Sequence, residues 1–170
     1  GLPICEDIWQ ADVTECLQES GADIIVALNA SPFDSAKPEN RMVTAVSRSI
    51  ETGLPLIYVN MVGGQDELVY DGASFALNAD GNLASHLPSF GESVALVQGS
   101  FSTGQFRLSG QIVPPDEGLQ ALYRGVMLGL RDYVCKNNFP GVIIGLSGGI
   151  DSALVATCLL YTSPSPRDRS

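Results

Sequence analysis

DIIVAL, from Asp23 to Leu28, and LPLIYVNM, from Leu54 to Met61, are two continuous apolar, β-branched runs. Runs of this kind are carried by strands buried on both faces of a sheet. Between them a polar loop, Asn29 to Asn40, gives way to Met42, Val43, Val46 and Ile50 at helical spacing, and Gly53 stops that helix. Strand, helix and strand in this order predict an α/β layer.

Upstream, Leu2 to Cys5 is a short apolar run ending at a thiol, and Ala11 to Glu19 can form a helix. Downstream, Gly63, Gly64, Asp71 and Gly72 punctuate the chain. Ala73 to Leu77, Leu83 to Leu87 and Ser93 to Val97 then read as short strands with turns at Asp80-Gly81 and Gly91, a β-meander closing the layer. Residues 98–116, rich in Gly, Ser, Gln and Pro, read as a linker ending at Pro114-Pro115. A helix is expected over Asp116 to Lys136, with Leu119, Leu122, Tyr123, Val126, Leu130 and Tyr133 on its apolar stripe. Asp116 and Glu117 suit the N-terminal end of its dipole, and Lys136 the C-terminal end. Val142 to Leu146 then reads as a strand, Ser147 to Ile150 as a loop, and Asp151 onward as a helix.

The ending breaks this logic. After Leu159 the helix is expected to dissolve into YTSPSPRDRS, residues 161–170, which reads as a non-native tail. The start, Gly1-Leu2-Pro3-Ile4-Cys5, has neither an initiator Met nor a signal-peptide charge pattern, so an earlier region is expected.

Composition narrows the function classes. A chain of 170 residues with 45% hydrophobic and 16% charged residues is globular, with room for one or two domains. A net charge of −10 without basic clusters argues against nucleic acid and anionic membranes as partners. No apolar run approaches the roughly 18–20 residues that span a bilayer. Cys5, Cys16, Cys135 and Cys158 show no C-x-x-C spacing, so reduced thiols in a cytoplasmic protein are expected, the last three packed on helices. His86 is the only histidine, which disfavours Ser-His-Asp, Cys-His and His-rich zinc sites; a solvated or capping role is expected for it.

Two strings carry chemistry. Gly145-Leu146-Ser147-Gly148-Gly149-Ile150-Asp151-Ser152 follows an apolar run and opens a helix. Successive glycines let backbone N–H groups approach an anion, and the helix N-terminus adds further donors and a positive dipole end. Ser147 and Ser152 supply hydroxyls, while Asp151 suits a divalent cation between itself and a phosphate. A plain Gly-rich turn with a capping Ser or Asp is the alternative; neither G-x-x-x-x-G-K-[ST] nor G-x-G-x-x-G is present. The second string, Pro3-Ile4-Cys5-Glu6-Asp7-Ile8-Trp9, places a thiol at a strand end with two carboxylates after it. A nucleophilic thiol needs such exposure and a base from elsewhere; the alternative is a buried structural cysteine.

S-G-G-I-D-S after an apolar strand resembles the pyrophosphate loop of ATP pyrophosphatases. C-E-D-x-W resembles the nucleophile region of the nitrilase-like glutaminase domain in the glutamine-dependent NAD synthetase family. Asn29-Ala30-Ser31-Pro32-Phe33, Lys37, Arg41, Asn60, Gly63-Gly64-Gln65-Asp66-Glu67-Leu68 and Asp71-Gly72-x-Ser74 agree with that family in order and spacing. The stretch from Arg124 to Leu154 resembles its synthetase entry.

The resemblance implies the C-terminal part of an α-β-β-α nitrilase-like sandwich over residues 1–97, a linker over 98–116, and over 117–160 the first helix-strand-loop-helix of a Rossmann-like ATP pyrophosphatase domain. It implies Cys5 as nucleophile on the glutamine amide, with Glu6, Trp9, Ser31 and Lys37 binding glutamine; Ala36 stands where the family has Gly. It implies ATP on Ser147, Gly148, Gly149, Asp151 and Ser152, with Mg²⁺ on Asp151, and ammonia passed to deamido-NAD⁺ in a homo-oligomeric parent. The family's Glu base and Lys lie before Cys5, so the 170 residues alone are expected to be inactive. Three alternatives stay open: a stand-alone carbon–nitrogen hydrolase, a non-catalytic assembly module, and another ATP pyrophosphatase amidotransferase.

Overall fold

The computed structural model describes residues 1–35, 37–102 and 105–162. Residues 1–4 run extended beside β1 (Ile25–Asn29). Val26 N–H donates to the Gly1 carbonyl at 2.9 Å, Leu28 N–H to the Pro3 carbonyl at 3.2 Å, and Ile4 bridges Leu28 in parallel. A 3-10 helix, Cys5–Trp9, and α1 (Ala11–Glu19) lead into β1, and α2 (Lys37–Thr52) leads out to β2 (Leu56–Asn60). β1 and β2 pair in parallel, Ile25 opposite Leu56 and Asn29 opposite Asn60; such pairing requires a crossover, which α2 provides.

A hairpin follows, β3 (Val62–Gln65) and β4 (Leu68–Asp71), where the sequence reading placed only turn residues. β5 (Phe75–Leu77) then returns antiparallel to β2, and β6 (Leu83–His86) antiparallel to β5, giving a four-stranded order β1-β2-β5-β6. Asp80-Gly81 makes the expected turn, with Gly81 at φ +77° and its N–H donating to the Asn78 carbonyl at 2.8 Å. The architecture is mixed α/β.

Each sheet face has its own core. The helix face packs Ile25, Ala27, Leu56, Tyr58, Phe75 and Leu77 with Ile8 and Ala45. The opposite face packs Ala76 and Ala84 with Leu108. β1 and β2 are buried by alternation, not on both faces as expected: Leu28 and Val59 remain exposed. Of the four apolar residues at helical spacing on α2, Met42 and Val46 pack against the core and the other two do not. Arg41, Ala45, Ser49 and Thr52 face inward, while Val43 and Ile50 point to solvent; the small Ala45, Ser49 and Thr52 let the helix sit close to the sheet. Gly53, at φ +67°, ends α2 as expected.

Further expectations are corrected. Ser93 to Val97 is not a strand; β7 (Gln98–Ser102) and β8 (Gln105–Ser109) form a hairpin within the stretch read as a linker, and Leu108 is buried against the sheet. The helix expected from Asp116 begins two residues later as α3 (Gly118–Lys136), and it buries Ala121, Gly125 and Leu128. Its expected stripe faces outward, with Leu119 84% and Val126 67% exposed. The reason is the partner: β3 and β4 dock on the small-residue face, where Gly129 lies against Gly64. Val142 to Leu146 forms no strand and is exposed at Val142, Ile143 and Leu146; a strand needs a ladder partner, and no described residue pairs with it. Cys16 and Cys135 are exposed instead of packed. The side chain of Cys158 lies outside the described residues. α4 (Ile150–Thr162) continues past Leu159, and residues 163–170 of the anomalous ending lie outside the described residues. Among the described residues no helix is long and apolar enough to cross a membrane.

Candidate active site

Residues 1–4, β1 and β2 run in one direction, so their C-terminal ends share an edge of the sheet. In open α/β sheets that edge is where ligands bind. Cys5 lies there directly after the extended segment, Asn29 and Ser31 at the end of β1, and Asn60 at the end of β2. Cys5 has a backbone φ of +53°, in the left-handed region that a non-glycine residue adopts only at a cost. The turn is held on its flanks: Ile4 N–H donates to Asp7 Oδ2 at 2.9 Å, and Asp7 N–H donates to the Ile4 carbonyl at 3.2 Å. The strained bend turns the chain sharply at the strand end, and the half-buried thiol sits on it. Glu6 and Trp9 follow on the same short helix, both exposed.

Beside them is a buried polar hub. Arg41, on the first turns of α2, is 3% exposed. Its Nη1 donates to both Asp71 carboxylate oxygens at 2.8 and 2.9 Å, its Nε to Ser31 Oγ at 3.1 Å, and its Nη2 to the carbonyls of Ser31 and Pro32 at 2.8 and 2.9 Å. Asn60 Oδ1 accepts the Ser31 N–H at 2.9 Å. A guanidinium suits this task because its donors are fixed in one plane, so Nη1 serves the carboxylate while Nε and Nη2 serve the loop. The hub fixes the loop after β1 and therefore Ser31, one of the residues expected at the site. Lys37 starts α2; its side chain lies outside the described residues, as does Ala36. Arg41, Asn60 and Asp71 were matched in the sequence as parts of strings, without a role; their burial and mutual bonding give them one.

His86 is not solvated. It is 6% exposed, its Nδ1 lies 2.9 Å from the Val113 carbonyl, and its ring stacks on Phe75, which stacks in turn on Tyr58. A carbonyl acceptor places the proton on Nδ1. Burial lowers its pKa below the ordinary 6.5, against smaller upward contributions from the backbone carbonyls and Asp71.

The Gly-rich loop lies apart from this edge, at the start of α4. Gly148 has φ +82° with open space where a Cβ would stand. Ser152 Oγ lies 3.1 Å from Ser147 Oγ and donates to the Gly149 carbonyl at 3.0 Å. The bend is exposed and unobstructed, as an anion cradle must be. Asp151 is the single acidic residue in the first turn of α4. No group of three or more His, Cys, Asp or Glu among the described residues could hold a metal by itself. That donor set fits Mg²⁺ in its usual manner, bound through one carboxylate and substrate phosphates.

Comparison with known proteins agrees with both halves. The carbon–nitrogen hydrolase family profile matches residues 1–106, and the NAD synthase profile matches residues 122–161. The glutamine-dependent NAD(+) synthetase of Rhodobacter capsulatus is 46% identical over 157 residues, 92% of this chain and 28% of that protein. The protein of the same description from Acinetobacter baylyi is 41% identical over 155 residues, 91% of this chain and 28% of that one. A solved glutamine-dependent NAD+ synthetase from Acinetobacter baumannii, in complex with adenosine diphosphate, superposes with a TM-score of 0.89 at 38% identity, covering 98% of this chain and 32% of that one. The chain thus spans about 28% of the length of the curated relatives it matches.

Proposed function

We infer that this chain, which belongs to the carbon–nitrogen hydrolase family, contributes a glutamine amide-hydrolysing site and an ATP-binding loop to glutamine-dependent NAD⁺ synthesis. The observation that carries the reading is the placement of Cys5. A thiol on a left-handed bend sits at the same sheet edge as a loop locked by Arg41 and Asp71. In this reading Cys5 Sγ attacks the side-chain amide carbon of glutamine. The C–N bond breaks, ammonia leaves with a proton from a general acid, and water then hydrolyses the thioester to glutamate. Ser31, Glu6, Trp9 and Lys37 bind the amino-acid part of the substrate.

Ser147, Gly148, Gly149 and Ser152 would hold the phosphates of ATP, and Asp151 would be the carboxylate that binds Mg²⁺. When bound, Mg²⁺ would neutralise charge on the departing pyrophosphate, and the loop N–H groups and hydroxyls would donate hydrogen bonds to the phosphates. Activation of the nicotinate carboxylate of deamido-NAD⁺ by ATP then permits amidation by the ammonia released at Cys5. The division into a glutaminase part over 1–97, a connection over 98–116 and a synthetase entry over 117–160 belongs to the same proposal. A cytoplasmic homo-oligomer belongs to it as well.

The test uses the full-length protein of the gene that carries this sequence. Cys5→Ala should abolish NAD⁺ formation from glutamine and leave formation from added ammonia, with ATP consumed, within about twofold. Persistence of the glutamine-driven reaction in that variant would overturn the reading.

A further inference from the structure

Tyr58 stands on β2 two residues before the shared strand edge, opposite Ala27 of β1. It is 2% exposed, and its ring is clamped in parallel on Phe75 with centroids 4.9 Å apart. Its hydroxyl is buried without a hydrogen bond, although it faces Ser31, whose Oγ is already engaged by Arg41 at 3.1 Å. Buried hydroxyls ordinarily find partners, because leaving one unpaired costs about 1–3 kcal/mol. Phenylalanine would fill the same place in this core without that cost. An oxygen left unpaired there, two residues from the sheet edge that the segment before Cys5 also shares, points to a partner that is not yet in position.

Resting on the reading of Cys5 as nucleophile, we propose that Tyr58 is a positioning residue whose uncommitted hydroxyl donates a hydrogen bond to the Cys5 sulfur once it carries negative charge. The electrostatics agree with a donor at this place. Burial raises the Tyr58 pKa above its ordinary 10, and smaller opposing contributions come from Arg41 and from Ser31, while Cys5 and Asp71 add to the rise. The phenol therefore keeps its proton throughout the working pH range. In a low-dielectric interior, a hydrogen bond to an anion is worth more than one to a neutral group.

The experiment compares wild type and Tyr58→Phe in the full-length protein. The rate of Cys5 alkylation by iodoacetamide is followed from pH 5 to 10, alongside glutamine hydrolysis and thermal unfolding. The expected result has three parts: the pH midpoint of Cys5 alkylation moves upward, kcat for glutamine falls about tenfold or more with KM within twofold, and Tm stays level or rises. An unchanged alkylation profile overturns the proposal, whether Tm holds or falls. The alkylation readout needs no glutamine, so a wild-type protein that fails to hydrolyse glutamine would defeat the proposed activity without being mistaken for failure of the Tyr58 contact.

Discussion

Asp71→Asn tests the buried hub directly. Asp71 and Arg41 are each 3% exposed at the side chain and bond through two N–H···O contacts at 2.8 and 2.9 Å. At 2.8 Å and an effective dielectric of about 20, the Coulomb attraction is roughly 6 kcal/mol, which bounds the loss from above. Desolvation of both ions offsets part of it, and the amide oxygen of Asn still accepts one bond. What remains is an uncompensated guanidinium in the interior, for which removal of one partner costs about 3–5 kcal/mol. Urea unfolding followed by fluorescence, with the m-value held common, should place the loss in that range. The double variant Arg41→Met with Asp71→Asn should lose less than the sum of the single losses, by at least about 1.5 kcal/mol, because neither charge is then stranded. A loss below about 1 kcal/mol for Asp71→Asn, or strict additivity in the cycle, would refute the view that this pair anchors the loop.

Two further outcomes are expected. A Cβ on Gly64 would stand 3.1 Å from Gly129 Cα and 3.2 Å from Asp132 Cβ. Gly64→Ala should therefore cost about 1–3 kcal/mol and speed amide exchange along α3, while unchanged exchange would contradict the docking. His86 is held below its unfolded pKa of 6.5, so below that pH the unfolded chain takes up a proton that the folded one refuses. Stability should fall as pH drops from 6.5 to the folded pKa, no more steeply than about 1.4 kcal/mol per pH unit. Urea midpoints at pH 7.5, 6.5 and 5.5 should show this slope in wild type and a shallower one in His86→Gln; equal slopes would count against it.

The α/β layer was legible because DIIVAL and LPLIYVNM carry strand propensity in their own composition, with helical spacing between them. β3 and β4 were not, since Gly63, Gly64 and Gly72 look like punctuation. Gly64 is small because Gly129 Cα lies against it, a requirement that exists only after folding. α3 offers two faces of plausible burial, and the larger apolar stripe lost to Ala121, Gly125 and Leu128 because the hairpin needs a shallow surface to dock. The string around Cys5 singles it out as a candidate, but nothing in that string announces its left-handed backbone. Arg41 and Asp71 lie 30 residues apart, and nothing in either neighbourhood announces the other. His86 was misread because its isolation in the sequence says nothing about the Val113 carbonyl 27 residues away.

The Arg41 hub has a kinetic consequence. Its five bonds draw together the loop after β1, the start of α2 and the end of β4. Closing contacts across such separations is entropically costly until the intervening strands have paired. Until β4 has docked, the Arg41 guanidinium lacks its carboxylate, and the loop bearing Ser31 lacks the ion pair that fixes it.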